Sequence, residues 1–286
     1  MQSNQEKKTL LIKIGGSILH HEQQMISVCA DIKILSEAGF NVILVHGGSK
    51  AIQEALTLHG IPSEFSEGLR ITTAQTMKII KQVLCEQVNQ TLVQHLKSIG
   101  IHAVGLSGAD EQLLLCDQYS KQHGLVGNVK AVNTTIIEHL LHRHEAFLKT
   151  IPVIATIGVD HDGNAFNINA DIAACHLANA LNVHQLIYLT DQDGIYDEQG
   201  MPYAQLSADD LQTLIDQSIV SGGMLVKAKA ILTALTVLNN IQVLNGNQPH
   251  ILLEAVLYGK NPGTLCKNNE LMPPVMSNLF QPSYPE

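Results

Sequence analysis

The sequence predicts an α/β fold built on a mostly parallel sheet covered by helices on both faces. Strand patterns alternate with helix patterns along nearly the whole chain, the order expected when helical crossovers link parallel strands. The strand patterns are continuous apolar runs, as in strands buried on both faces. Several of these runs end in glycine turns that lead into a helix, and ligands of such sheets bind beyond the carboxyl ends of the strands.

The elements follow in order. Thr9–Ile14 is an apolar strand ending in Gly15-Gly16-Ser17, and an amphipathic stretch runs from there to Glu37. Asn41–His46 is a second strand ending in Gly47-Gly48-Ser49. A helix follows over Lys50–His59, stopped by Gly60-Ile61-Pro62. Thr72 with Gln75 reads as a capping box, opening a long helix whose stripe includes Met77, Ile80, Leu84, Val88, Leu92 and Leu96, closed by Gly100. Ala103–Leu106 is a strand, Gly124–Val132 reads as a hairpin arm turning at Gly127-Asn128, and Asn133–His144 as a helix. The second half repeats the alternation. Strands are expected at Pro152–Ile157, Leu186–Thr190 and Ile241–Leu244, and helices at Asp171–Leu181, after the Ser207/Asp210 capping box, and at Met224–Leu238. Residues 266–286 are polar and proline-rich and are expected to form a loosely packed or disordered tail.

With 286 residues, 45% hydrophobic and 15% charged, the chain can build a sizeable core. Its net charge of −9 gives no electrostatic footprint for nucleic acid or an anionic membrane. The polar N-terminal stretch Met1–Lys8 lacks the apolar h-region of a signal peptide, no apolar run reaches the ~20 residues of a membrane span, and five scattered cysteines without CxxC spacing read as reduced thiols. A cytoplasmic protein is expected. Fourteen histidines include no HExxH pattern and no His/Cys pairing, so no metal site is expected.

The candidate chemistry sits at strand ends. Two Gly-Gly-Ser turns in the first 50 residues let backbone approach a ligand and aim helix-start N–H groups at an anion. They read either as one phosphate site or as two ordinary turns. Lys13, inside an apolar strand, must leave by the strand end or find a buried anion. Lys227 is read in the first turn of its helix, where a cation opposes the helix dipole unless an anion lies near; a solvent-facing lysine is the alternative. In Asn167-Ile168-Asn169-Ala170-Asp171, either Asn169 or Asp171 could be the N-cap, and Asp171 could also orient lysines. Thr190 to Tyr196 is a glycine-containing turn after a strand. Arg70 follows Gly68-Leu69, and its planar fork suits a carboxylate. P-loop, dinucleotide and protein-kinase signatures are absent.

Taken in order, these segments resemble the acetylglutamate kinases of the amino-acid kinase family. The likeness runs through Ile12–Ser17, Val45–Ser49, Gly68–Thr72, Ala103–Gly108, Gly124–Asn128, Asn167–Asp171, Leu189–Gly194, Gly223–Lys227 and Gly263-Thr264, roughly residues 9–265. It implies a three-layer αβα sandwich around a mainly parallel sheet. It also implies one domain over residues 1–265 with two lobes, about 9–170 for the acid and about 171–265 for the nucleotide. The implied reaction is ATP-dependent phosphorylation of the side-chain carboxylate of N-acetyl-L-glutamate, in arginine biosynthesis, with Mg²⁺ on the nucleotide. Lys13 and Lys227 would neutralise the transferring phosphoryl group, and Asp171 would hold both. Gly16, Gly47 and Gly48 would donate N–H groups to phosphate and substrate. Arg70 and Asn167 would clamp the acid, and Asp191, Gly194, Tyr196 and Ser221 would surround the nucleotide. Ser49 stands where many members have a third glycine. Arginine-inhibited members carry an extra N-terminal helix, and this sequence starts almost at its first strand, so an arginine-insensitive homodimer is expected. The rivals are kinases of carrier-linked aminoadipate, glutamate or aspartate, and a non-catalytic regulator binding an amino acid or nucleotide. Glu64 and Glu67 beside Arg70 argue against an acidic carrier.

Overall fold

The computed structural model describes residues 8–142 and 149–268. Along the chain, β1 (Thr9–Ile14), α1 (Gly16–His20), α2 (Glu22–Glu37), β2 (Asn41–His46) and α3 (Ser49–Leu58) are followed by a small ribbon, β3 (Phe65–Ser66) and β4 (Leu69–Arg70). Next come α4 (Ala74–Lys81), a π-helical stretch (Gln82–Val88), α5 (Asn89–Ser98), β5 (His102–Ser107), β6 (Leu114–Gln118), β7 (Gly127–Val132) and α6 (Thr135–His142). The remainder is β8 (Thr150–Ala155), β9 (Ile157–Val159), β10 (Ala165–Asn167), α7 (Ala170–Ala180), β11 (Gln185–Thr190), β12 (Gln205–Ser207), α8 (Ala208–Asp216), α9 (Gly222–Leu235), β13 (Ile241–Asn245), α10 (Ile251–Val256) and β14 (Thr264–Lys267).

Eight strands form the main sheet in the order β12-β14-β13-β11-β1-β2-β8-β5. Every neighbouring pair is parallel except β13 with β14. The two halves of the chain meet at the centre, where β1 pairs with β11. Strand alternation divides the core. Leu11, Ile43, Val45, Leu186 and Tyr188 face α7 and α9, while Leu10, Ile12, Leu44, Ile187 and Leu189 face α2, α5 and α10. The sheet is therefore covered on both faces, as expected of continuous apolar strands. A smaller sheet, β10-β9-β6-β7, lies apart from it.

Several elements differ from the sequence reading. The N-cap of α4 is Thr73, which accepts from the Thr76 N–H at 3.1 Å. Thr72 is instead buried and paired: its N–H donates to His123 O at 3.0 Å and its carbonyl accepts from Leu125 N–H at 2.7 Å. The long helix is not uniformly α, because residues 82–88 close with π geometry. Gly127-Asn128 is not a turn but the start of β7, opposite Gln118 and Asp117, so the connection spans 119–126. The expected Pro152–Ile157 strand divides at Thr156 into β8 and β9, which belong to different sheets. Helix α9 starts at Gly222, which moves Lys227 from the first turn to the second. Cys266 and Lys267, assigned to the tail, close the main sheet in β14. The rest of that tail, 269–286, lies outside the described residues, as do residues 143–148 at the end of the expected Asn133–His144 helix. Among the described residues no helix is long and apolar enough to cross a membrane.

Candidate active site

Lys13 is one residue from the end of β1, on the same side as Leu11. Alternation sends its side chain to the face covered by α7 and α9, so it cannot escape to solvent. There its Nζ lies 2.8 Å from Asp171 Oδ1, and Lys227 Nζ lies 2.9 Å from the same oxygen. Asp171 sits in the first turn of α7, held by the N-cap Asn169, whose Oδ1 accepts from the Asp171 N–H at 2.8 Å. Tyr188 on β11 donates its hydroxyl to Asp171 O at 3.1 Å and presents its ring 4.9 Å from Lys227 Nζ.

All three ionisable groups are at least nine-tenths buried. Burial alone would raise the Asp171 carboxyl pKa, but Lys13 and Lys227 outweigh it and hold the group down to about 2. Lys227 moves the other way. Burial, with a smaller push from Lys13, lowers it to about 8 although Asp171 and, more weakly, Asp191 favour its charge. The two directions agree on one point. With both lysines protonated the cluster is one positive charge in excess, in a place that disfavours charge, and an anion in the neighbouring cleft would stabilise it.

The two glycine turns adjoin this cluster. A Cβ on Gly16 would meet Ser49 N at 2.9 Å and the Gly48 carbonyl carbon at 3.3 Å, so the turns after β1 and β2 are packed against each other. Gly48 has its Cα against Leu84 of the π stretch, where a Cβ would come within 2.6 Å of Leu84 Cδ2. The N–H groups of Gly16, Gly48 and Ser49 have no acceptor among the described residues, the usual state of donors at helix starts. These three N–H groups form one set of free donors, whereas the Gly47 N–H, also expected to reach the ligand, donates instead to Ile14 O at 3.3 Å.

Arg70 comes from the β3–β4 ribbon. It is buried, with Cζ 4.5 Å from the Phe65 ring centroid. Nη1 donates to Gln53 Oε1 at 3.3 Å and to Ser63 Oγ; Nη2 donates to Ser49 O at 3.2 Å and Ser49 Oγ at 3.1 Å. No carboxylate pairs with it among the described residues, and burial lowers its pKa. Asn167, at the end of β10, donates from Nδ2 to Thr72 Oγ1 at 3.1 Å. Between these groups lies a cleft of about 450 Å³, lined by Lys13, Gly16, Gly47, Gly48, Arg70, Asn167 and Asp171, with apolar patches from Ile52, Leu84 and Val126. The β3–β4 ribbon closes one side: a Cβ on Gly68 would strike Gly222 O at 2.7 Å, so this tight turn (φ +78°) abuts the start of α9.

The remaining expected residues lie outside that lining. Asp191 and Ser221 are exposed; Ser221 is the N-cap of α9. Tyr196 accepts the Asp193 N–H at 3.0 Å through its hydroxyl. Gly194 (φ +155°) is buried because Thr264 needs the space: a Cβ would meet Thr264 Oγ1 at 2.4 Å, and that hydroxyl accepts from Ile195 N–H and donates to Tyr203 O. Nothing in the sequence singles out Gln53 and Ser63, which surround Arg70. Ser49 was visible only as a departure from a glycine.

The geometry agrees with the comparisons to known proteins. Residues 8–245 match the model of the amino acid kinase family. Two curated relatives named acetylglutamate kinase are each 38% identical. That of Clostridioides difficile (strain 630) matches over 269 residues, 92% of each chain, and that of Kosmotoga olearia over 267 residues, 92% of this chain and 93% of its own. Among solved structures, smu.665 from Streptococcus mutans UA159 superposes with a TM-score of 0.78 at 25% identity, covering 91% of this chain and 98% of its own. N-acetylglutamate synthase from Neisseria gonorrhoeae, complexed with coenzyme A and N-acetyl-glutamate, gives 0.80 at 23% identity, over 91% of this chain and 59% of that one, a likeness of fold. With its sheet order, its lysine–aspartate–lysine cluster and these matches in agreement, the chain belongs to the amino acid kinase family.

Proposed function

We propose that this protein transfers the γ-phosphoryl group of ATP to the side-chain carboxylate of N-acetyl-L-glutamate, releasing ADP and an acyl phosphate. The observation that carries the reading is two sets of buried cations with unmet need for an anion at one cleft. Lys13 and Lys227 share a single carboxylate oxygen, and Arg70 has none among the described residues. A substrate with two carboxylates joined by a short chain meets both demands. Arg70 takes the carboxylate that does not react, Asn167 helps orient the acid, and the reacting carboxylate lies toward the glycine turns.

A carboxylate is already an ionised nucleophile at neutral pH, so no general base is needed. Its oxygen forms a bond to the γ-phosphorus as the bond to the β,γ-bridging oxygen breaks, and ADP leaves with that electron pair. No proton need move. The protein's part is alignment and charge neutralisation, supplied by Lys13, Lys227 and the N–H groups of Gly16 and Gly48. Asp171 keeps both ammonium groups in place. Among the described residues no three His, Cys, Asp or Glu side chains converge on a metal position. Mg²⁺ would enter as part of the substrate, on the nucleotide's phosphate oxygens. On this reading the first part of the chain, about 9–170, holds the acid and about 171–265 the nucleotide, with Asp191, Gly194, Tyr196 and Ser221 on the nucleotide side. The same reading places the protein in the cytoplasm as a homodimer, in the arginine pathway.

The test is a hydroxylamine trap. Purified protein with ATP, Mg²⁺ and hydroxylamine is offered N-acetyl-L-glutamate, L-glutamate, L-aspartate or N-acetyl-L-aminoadipate, and acyl phosphate is read as hydroxamate. Product with N-acetyl-L-glutamate alone is expected. Product with a different acid would overturn the substrate assignment, and none with any acid would overturn the reaction.

A further inference from the structure

His46 is the last residue of β2, fully buried on the face that packs against α5. Its neighbours determine its hydrogens. Asn89, the first residue of α5, points Nδ2 at Val153 O (2.9 Å), Leu106 O (3.3 Å) and His46 Nε2 (3.0 Å). Carbonyl oxygens only accept, so the Asn89 atom there must be the amide nitrogen, a donor. His46 Nε2 must then accept, which leaves the ring proton on Nδ1. Nδ1 lies 3.1 Å from Gly47 O and donates to it. Burial keeps the ring neutral, with its pKa lowered to about 4.

The consequence lies one atom further along. A trans peptide is planar, with its C=O and the following N–H pointing in opposite directions. Tying the Gly47 carbonyl to the His46 ring turns the Gly48 N–H the other way, out of the core, and that N–H has no acceptor among the described residues. Gly48 lines the cleft. A bare Gly-Gly peptide could flip at little steric cost, so its direction needs an external hold. Asn89 is held in turn by a close approach that only glycine permits: a Cβ on Gly105 would come 2.2 Å from Asn89 Oδ1.

We propose that His46 and Asn89 are positioning residues, which fix the Gly47–Gly48 peptide so that its N–H is presented to an anionic phosphate oxygen in the cleft. The pair deepens the kinase reading and rests on it for the identity of the acid, but not for the orientation of the donor.

Three measurements on the full-length protein test it. Long-range ¹⁵N–¹H NMR of the wild type reads the His46 tautomer, and the proton is expected on Nδ1. AMP-PNP with Mg²⁺ is titrated calorimetrically, and steady-state turnover is measured, for His46→Asn and His46→Leu. Asparagine can place its amide N–H near the Nδ1 position, so His46→Asn should retain most of the binding and turnover. His46→Leu, which lacks the donor, should lose ~10-fold or more in AMP-PNP affinity and in kcat, by analogy with loss of one preorganised donor, with little change in KM for the acid. Asn89→Asp presents an acceptor to Nε2 and should put a proton there, read by the same NMR experiment. A wild-type proton on Nε2, wild-type binding by His46→Leu, or equal losses in His46→Asn and His46→Leu would each overturn the proposal. The NMR result stands even where a variant does not fold. If the wild type made no acyl phosphate yet the tautomer and AMP-PNP results came out as expected, the substrate assignment would fail and the positioning role would survive.

Discussion

The buried cations at the cleft fall into two groups, one on β1 and α9 and one on the β3–β4 ribbon, and the two are built on opposite plans. On β1 and α9, two ammonium groups converge on one carboxylate oxygen, within 2.9 Å. On the β3–β4 ribbon, a guanidinium is surrounded by neutral acceptors, Gln53, Ser63 and Ser49, and backed by the Phe65 ring. The first group carries its own counter-ion and still has one charge in excess. The second is hydrogen-bonded but has no counter-ion among the described residues. Neutral acceptors satisfy the geometry of a buried guanidinium without cancelling its charge, which is what a site awaiting a carboxylate requires. The carboxylate in the first group holds the lysines in fixed positions, which suits cations that neutralise charge developing during a reaction.

If that contrast is right, the largest effect should come from the shared counter-ion. Asp171→Asn keeps the shape but leaves two buried ammonium groups without the carboxylate they share. Breaking a buried pair costs roughly 3–5 kcal/mol, so a clear fall in melting temperature should accompany a loss in kcat of ~10³-fold, since both lysines are disarmed together. A variant with normal melting and turnover would show that Asp171 is not what holds them. Lys13→Ala should cost on the order of 10²-fold or more in kcat with less loss of stability, because Lys227 keeps its partner. Near-normal turnover without Lys13 would end the assignment of that lysine.

These are also the residues that could be read without a structure, and the reason is physical. A lysine inside an apolar strand, Lys13, violates burial rules unless something compensates, so the sequence itself raises the question that Asp171 answers. Gly-Gly turns at the ends of apolar strands are visible for the same reason. The strand and helix order was legible because continuous apolar runs and helical stripes are local signals. The rest depended on distant partners. Thr72 and Thr73 are adjacent and chemically identical, and only the pairing of Thr72 with the 123–125 segment leaves Thr73 to cap the helix. The π stretch keeps the same apolar stripe as an α-helix, so periodicity does not separate them. Gln53, Ser63, His46 and Asn89 are ordinary polar residues in sequence, and their roles arise from contacts across 17, 7 and 43 positions.

Arg70 should respond differently. Arg70→Lys preserves charge but loses the planar fork and the stacking on Phe65. Hydrogen bonds to charged groups contribute about 1.5–3 kcal/mol each, so KM for the acid substrate should rise ~10–100-fold while kcat changes much less. A kcat loss equal to that of Lys13→Ala, at unchanged KM, would place Arg70 on the reacting group instead and erase the contrast between the two plans.

The smallest effect is a proton. Burial lowers Lys227 to about 8 from an ordinary 10.5. The native state therefore gives up that proton earlier than the unfolded chain, and this group's contribution to stability rises with pH between those values. Asp171 has the opposite history: held down to about 2 from 3.8, it contributes stability above the unfolded value that is lost only as pH falls through the folded one. A polyphosphate bound beside the cluster adds the missing negative charge and should raise the Lys227 pKa. Near pH 8, because burial lowers the Lys227 pKa toward that range, binding of AMP-PNP with Mg²⁺ should take up a fraction of a proton per chain. The uptake can be read by titration calorimetry in buffers of different ionisation enthalpy, after subtracting the nucleotide's own protonation change. It should fade toward pH 6 and vanish in Lys227→Met. A binding enthalpy independent of buffer at pH 8 would mean that Lys227 is already fully charged before the anion arrives. The excess charge around Asp171 would then be balanced within the protein, as it is not at Arg70.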